Sequence, residues 1–235
     1  LDEIFAAYFK SLEPLSEFHE LASTSSLKLT YTAMHGVGTR FTRESLKRFG
    51  VKEENVVLVK EQVEPDPEFP TVAFPNPEEG KSALNLSMAT ADAHGSRVIL
   101  ANDPDADRLA VAERQRDGSW KVFNGNQIGA LLGWWSLEGF KRRVAASHPG
   151  DATAVKTAVA GTAMVCSAVS SMILRSMAAK EGFYFEETLT GFKWMGSRSY
   201  QIEHTAADTD HKKKVLFAFE EAIGFMCGTR VYDKD

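Results

Sequence analysis

Apolar residues along this chain change rhythm repeatedly. Ile4, Phe5, Tyr8, Phe9 and Leu12 recur at helical spacing, so a helix is predicted over 1–21. A β run follows over 27–32, then a helix over 42–49 and a strand over 56–59. The stretch 63–79 is too rich in proline for a helix or central strand, and too long for an idle connection. Pro77, Glu78 and Glu79 then open a helix to about residue 93, with acids where the helix dipole favours them. Strands are predicted over 98–101 and 109–113, and Asp117-Gly118 marks a hairpin turn.

A second round starts beyond a boundary near residue 120. It comprises a helix over 127–141, an exposed polar loop over 142–151, a strand over 154–160 and a helix over 162–180. A strand over 183–188, a helix over 192–203 and a strand over 215–219 complete it, and 204–214, lacking apolar rhythm, is expected to be a mobile loop. Alternating strands and helices indicate α/β layers. Trp134, Trp135, Trp194 and the methionines from Met164 to Met177 fall in predicted helices, where core or interdomain packing is the favoured reading.

Composition narrows the partners. The apolar and aromatic content is ordinary for a globular protein able to bury real cores, and the net charge of −5 comes with no basic stripe, which argues against nucleic acid. Lys212-Lys213-Lys214 follows Asp208 and Asp210 and reads as a solvated loop. Cys166 and Cys227 lie far apart with no C-x-x-C pairing, so two thiols in a reducing, cytoplasmic setting are expected. No apolar run approaches membrane-spanning length, and nothing indicates a secretory leader or a membrane partner.

The most informative stretch is Val98-Ile99-Leu100-Ala101-Asn102-Asp103-Pro104-Asp105-Ala106-Asp107-Arg108. An apolar strand runs directly into three carboxylates at alternate positions. Gathered in a loop, Asp103, Asp105 and Asp107 repel one another unless a hard cation such as Mg²⁺ lies between them. Aspartates beside proline also make plain solvated turns. An EF-hand fails in detail, since Arg108 and Arg114 stand where that loop needs Gly and Glu.

The hexapeptide Asp103-Pro104-Asp105-Ala106-Asp107-Arg108 resembles the D-x-D-x-D-R metal loop of the α-D-phosphohexomutase superfamily, whose members move a phosphoryl group between two sugar hydroxyls through a phosphoserine. Further segments resemble that family in the same order: His35-Gly36-Val37-Gly38, Phe69-Pro70-Thr71-Val72, Pro75-Asn76-Pro77-Glu78, Thr190-Gly191-Phe192-Lys193 and Glu220-Glu221-Ala222-Ile223-Gly224. The local wording is most similar to the phosphoglucomutase-2-like branch, which holds phosphopentomutases and glucose 1,6-bisphosphate synthases. The resemblance implies two consecutive α/β domains with mixed sheets covered by helices: a metal-loop domain over 1–120 and a sugar-binding domain over 121–235, truncated at its end.

The same resemblance implies roles. Asp103, Asp105 and Asp107 would hold Mg²⁺, with Arg108 supporting the phosphoryl group. Thr190, Gly191 and Lys193 would lie at the sugar phosphate, and Glu220 would orient adjacent hydroxyls. The family's usual Ser two residues beyond that Glu is Ala222 here, which removes one hydroxyl contact and favours a pentose phosphate or a bisphosphate donor. Lys234, in a partial D-K-D element, is a further phosphate contact by the same resemblance. Glucose 1,6-bisphosphate is implied as activator or intermediate, sugar phosphates as partners, and a monomeric parent.

Neither the family's nucleophile loop nor its phosphate-gripping loop occurs in the sequence, so the chain is expected to be a catalytically silent central fragment, domains two and three of a four-domain mutase. Two alternatives accompany that expectation: a non-catalytic sugar-phosphate-binding or assembly module, and a bisphosphate synthase. A haloacid-dehalogenase-type phosphatase fits less well, because Asp107 stands where that motif needs Thr or Val. His35 reads as a turn residue, since nothing in the sequence supplies it with a partner.

Overall fold

Leu29–Thr32 (β1) is buried along its whole length, as befits a strand with neighbours on both sides. In the computed structural model, which describes residues 1–79, 81–205 and 212–235, β1 pairs in parallel with Val56–Leu58 (β2) and with Val98–Asn102 (β3). Leu109–Arg114 (β4) returns antiparallel to β3, and Trp120–Phe123 (β5) antiparallel to β4, giving the order β2-β1-β3-β4-β5. Gly118 takes the positive φ of 86° that their hairpin needs.

Asp2–Leu12 (α1), His19–Thr24 (α2), Gly38–Arg48 (α3) and Lys81–His94 (α4) accompany this sheet. The single helix expected over 1–21 is two. Pro14 has no N–H to continue the ladder and sits in a one-turn 3-10 helix, Glu13–Leu15, between them.

The second sheet is built around Thr162–Ser167 (β6), buried at all six positions. It pairs in parallel with Tyr184–Thr188 (β7) and Lys214–Glu220 (β8), and Gly224–Met226 (β9) closes antiparallel on β8, giving the order β7-β6-β8-β9. Gly125–Ser147 (α5), Ala152–Ala160 (α6), Ile173–Glu181 (α7) and Phe192–His204 (α8) flank it. The chain divides into two units, Leu1–Phe123 and Asn124–Asp235. Both are α/β with mixed sheets and flanking helices.

Several expectations in the second unit are corrected. The loop expected over 142–151 is helix as far as Ser147, because nothing breaks the pattern before Pro149-Gly150. The strand expected over 154–160 is α6, whose start is capped by the Asp151 side chain accepting the Ala154 N–H at 2.9 Å. The helix expected over 162–180 yields its first residues to β6, since a continuous apolar run reads alike as buried helix or buried strand. Met164 is therefore a buried strand residue. Trp134, Trp135 and Trp194 are 50%, 39% and 48% exposed, so they do not belong to the core of their unit. Strand β9 was not anticipated, and most of the loop expected over 204–214 lies outside the described residues. Among the described residues no helix is long and apolar enough to cross a membrane.

Candidate functional site

Because β1 and β3 run parallel, the segments leaving their carboxyl ends emerge at one edge of the first sheet, where ligand sites of such layers gather. One is the turn at His35; the other is the aspartate loop. Asp103 is 1% exposed, and Arg108 holds both of its oxygens: the Arg108 backbone N–H donates to Oδ1 at 3.0 Å and Nε to Oδ2 at 2.6 Å. Burial works against the guanidinium charge, but the Asp103 hydrogen bond and the charges of Asp103, Asp107 and Asp105 outweigh it and hold its pKa above the ordinary value. Arg108 Nη1 also donates to Asn76 Oδ1 at 3.3 Å, which gives the Pro75-Asn76-Pro77 segment a place beside the loop.

The loop is pinned from three sides. Asn102 Nδ2 donates to the Arg108 carbonyl at 2.7 Å, and Asn102 Oδ1 accepts the Tyr31 hydroxyl at 3.0 Å. Ala106 takes a φ of +62°, while its N–H donates to the Asp103 carbonyl at 2.9 Å. The Val37 N–H donates to the Pro104 carbonyl at 2.9 Å. A Cβ on Gly36 would stand 2.2 Å from Pro104 Cα, so only glycine lets this turn press against the loop.

His35, expected to lack a partner, is buried and has one. Its Nε2 lies 2.8 Å from Thr71 Oγ1, which also accepts Gln62 Nε2 at 2.9 Å; Gln62 Oε1 in turn accepts the Thr32 hydroxyl at 2.6 Å. This network fastens the proline-rich segment to the turn that braces the aspartates. The His35–Thr71 contact spans 36 residues of sequence, so no local pattern announced it.

One carboxylate oxygen from each of Asp103, Asp105 and Asp107 can be chosen such that all lie within 4.8 Å of one another. Opposed oxygens around Mg²⁺ stand about 4.2 Å apart, so small side-chain adjustments bring all three to one ion, and hard oxygen donors suit that ion. The graded burial, with Asp103 buried, Asp107 intermediate and Asp105 exposed, leaves one side of the cluster open. The residues present fit a divalent cation that keeps positions for further oxygens.

In the second unit, β7 and β8 are both parallel to β6, so their carboxyl ends share an edge. There Glu220 ends β8 and lies 3.7 Å from Lys234 Nζ. Gly191 precedes α8 with φ +94° and ψ 138°, a backbone state suited to glycine, and nothing lies within 4 Å of where its Cβ would be. Thr190 and Lys193 are exposed at the same helix start. Gly191 holds the N-cap position of α8, with no side-chain capping hydrogen bond. A Cβ on Gly224 would stand 2.9 Å from Phe192 Cε2, so the Phe192 ring packs against that glycine.

Glu221 turns the other way. Its Oε2 accepts the hydroxyls of Ser167 at 3.0 Å and Ser170 at 3.1 Å, and its backbone N–H donates to Ser170 Oγ at 3.0 Å. Of these two adjacent acids, Glu221 is anchored in the fold and Glu220 stands beside the Lys234 ammonium.

Two descriptions of one family match the chain: "Phosphoglucomutase/phosphomannomutase, alpha/beta/alpha domain II" over residues 6–118 and the corresponding domain III over residues 124–235. The chain belongs to the phosphoglucomutase/phosphomannomutase family. Among this family's curated members, the Homo sapiens phosphopentomutase is 50% identical over 228 residues, 97% of this chain and 34% of that protein. The Homo sapiens glucose 1,6-bisphosphate synthase is 47% identical over 235 residues, 100% of this chain and 35% of that protein. This phosphohexomutase-family chain thus spans about a third of the length of the curated relatives it matches. A crystal structure of Aspergillus fumigatus N-acetylphosphoglucosamine mutase, in complex with GlcNAc-6P and magnesium, shares the fold with a TM-score of 0.57 at 17% identity. The likeness covers 93% of this chain and 39% of that one.

Proposed function

We propose that this chain supplies the metal-binding and sugar-orienting parts of a phosphosugar mutase acting on pentose or hexose phosphates. The observation that carries the reading is the cluster of Asp103, Asp105 and Asp107, within 4.8 Å at the carboxyl edge of a sheet, in a chain that matches mutase domains along nearly its whole length. A divalent cation bound there withdraws charge from the oxygens of a phosphoryl group in transfer. Arg108 fixes the rotamer of Asp103 and presents positive charge next to that position. Glu220 accepts hydrogen bonds from sugar hydroxyls, Lys234 meets a phosphate oxygen, and Thr190, Gly191 and Lys193 receive the remaining phosphate. In this reading the phosphoryl donor is a phosphoserine supplied from outside this chain, and glucose 1,6-bisphosphate is the intermediate or activator.

Ala222 bears on which sugar is preferred. Without a hydroxyl at that position one hydrogen bond to the ring is missing, a loss of about 1 kcal/mol for a substrate that offers the matching group. Pentose phosphates and bisphosphate synthesis both remain compatible with that, and the two relatives above carry those names.

Titration calorimetry of Mg²⁺ into the chain, with and without glucose 1,6-bisphosphate, tests the reading. Binding that tightens with the sugar phosphate and disappears in Asp105→Asn is expected. Mg²⁺ binding of equal strength in the variant would remove the aspartate loop as the metal site.

A further inference from the structure

Helix α8 begins at the sugar edge of its unit and carries Glu203 in its last turn, roughly 16 Å along its axis at 1.5 Å per residue. Glu203 gathers three donors. Its Oε1 accepts the Val215 backbone N–H at 2.9 Å and the Thr229 hydroxyl at 2.9 Å, while its Oε2 accepts the Tyr232 hydroxyl at 2.6 Å. The Tyr232 ring meets Tyr200 edge-on with centroids 5.5 Å apart, and its hydroxyl lies 3.1 Å from His204 Nε2.

The same segment then runs back along the helix. A Cβ on Gly196 would stand 1.9 Å from the Tyr232 carbonyl oxygen, so the backbone of the segment passes against a bare face of α8 at that point. Two residues later Lys234 Nζ lies 3.7 Å from Glu220 Oε1. The arrangement is a track: a carboxylate anchor, a glycine gap, and then the cation at the sugar loop. Lysine has four rotatable bonds, and a loose segment would spread its ammonium over a wide volume; a segment fixed at two points confines it.

We infer that Glu203 and Gly196 are positioning residues of the sugar-phosphate site, acting through Lys234. This rests on the assignment of Glu220 and Lys234 as substrate contacts proposed above. Glu203 reaches no substrate; it binds the hydroxyls of Thr229 and Tyr232, and the bound segment delivers Lys234 beside Glu220. A carboxylate suits the anchor because it is acceptor-only and can satisfy three donors at once. Gln at 203 keeps an oxygen for two of them and can turn its amide N–H to the Tyr232 oxygen. Ala keeps none.

A double-mutant cycle on Mg²⁺-supported glucose 1,6-bisphosphate binding, read beside amide hydrogen exchange, separates positioning from simple stabilisation. Glu203→Ala is expected to weaken binding about 10-fold, as Lys234→Ala does, with no further loss when both are combined. Exchange should rise over 229–235 while β6 stays protected, Gly196→Ala should behave like Glu203→Ala, and Glu203→Gln should restore most of the affinity. Additive losses, or unchanged binding by a Glu203→Ala protein whose segment has come loose, would overturn the inference. If the wild-type chain binds no bisphosphate, the substrate assignment fails separately. The exchange arm then decides the tether alone: a segment still protected in Glu203→Ala rules it out, and a freed one upholds it.

Discussion

Arg108 closes a ring on Asp103, using its own backbone N–H for one carboxylate oxygen and its Nε for the other. A single residue thus sets the orientation of the most buried of the three clustered acids. Arg108→Lys keeps the backbone bond and the positive charge but loses the planar fork. We expect Mg²⁺ affinity to fall about 10-fold by calorimetry, the lower range for losing an outer partner of a metal ligand. Arg108→Ala should in addition cost about 3 kcal/mol in urea unfolding, because it strands a buried carboxylate. Equal Mg²⁺ affinity in wild type and Arg108→Lys would show that the clamp does not orient the ligand.

Gly36 is the point where the turn after β1 touches Pro104. A methyl group there meets backbone, not a side chain that can swing away, so Gly36→Ala must displace the aspartate loop or its brace. Destabilisation of about 1–3 kcal/mol is expected, together with loss of Mg²⁺ binding in protein that remains folded. Gly95→Ala is the control: space is open around it, and only its φ of +70° resists the change, so a stability loss with normal Mg²⁺ binding is expected.

Tyr31 carries a pH signature. Burial, reinforced by the charge of Asp103 and opposed by a hydrogen bond with Thr42, pushes its phenol from 10.0 up to about 12. The folded state therefore holds the proton more tightly than the unfolded chain. The associated stability is complete below about pH 10 and is lost as pH rises towards 12, on the order of 2–3 kcal/mol across that window. Urea unfolding of Tyr31→Phe beside wild type should give curves that converge over this interval, after allowing for the lost bond to Asn102. A constant offset at every pH would show that Tyr31 does not hold its proton more tightly when folded.

Much of this was legible in the sequence where chemistry and local pattern coincide. Three aspartates after an apolar strand located the cluster, because residues at alternate positions of one short loop are brought together by the loop itself. Strands β3 and β4 were readable for a related reason: each alternates buried and partly buried positions, so period two survives in the apolar pattern. β6 alternates nothing, being buried throughout, and the same run fits a helix until its neighbours β7 and β8 are known. The Ala-rich α6 failed in the opposite direction, its valines suggesting a strand while the cap at Asp151 decided for a helix. Glu221, His35 and Glu203 were opaque for one reason. Their partners lie 51, 36 and 29 residues away, at Ser170, Thr71 and Tyr232, and pairing at that range is a product of topology.

The turn from Glu220 to Gly224 is unevenly committed. Glu221 is tied to two serines, and its carbonyl lies so close to Gly125 that a Cβ there would come within 1.9 Å. Ile223 is buried with a φ of +56°, a costly state for a β-branched residue that only surrounding packing sustains. Gly224 is hemmed in by Glu220, Phe192 and Lys234. Ala222 between them is half-buried and is not among the positive-φ residues. The turn is thus pinned on both sides of position 222, so a change of side chain there is presented on a backbone that its neighbours hold still.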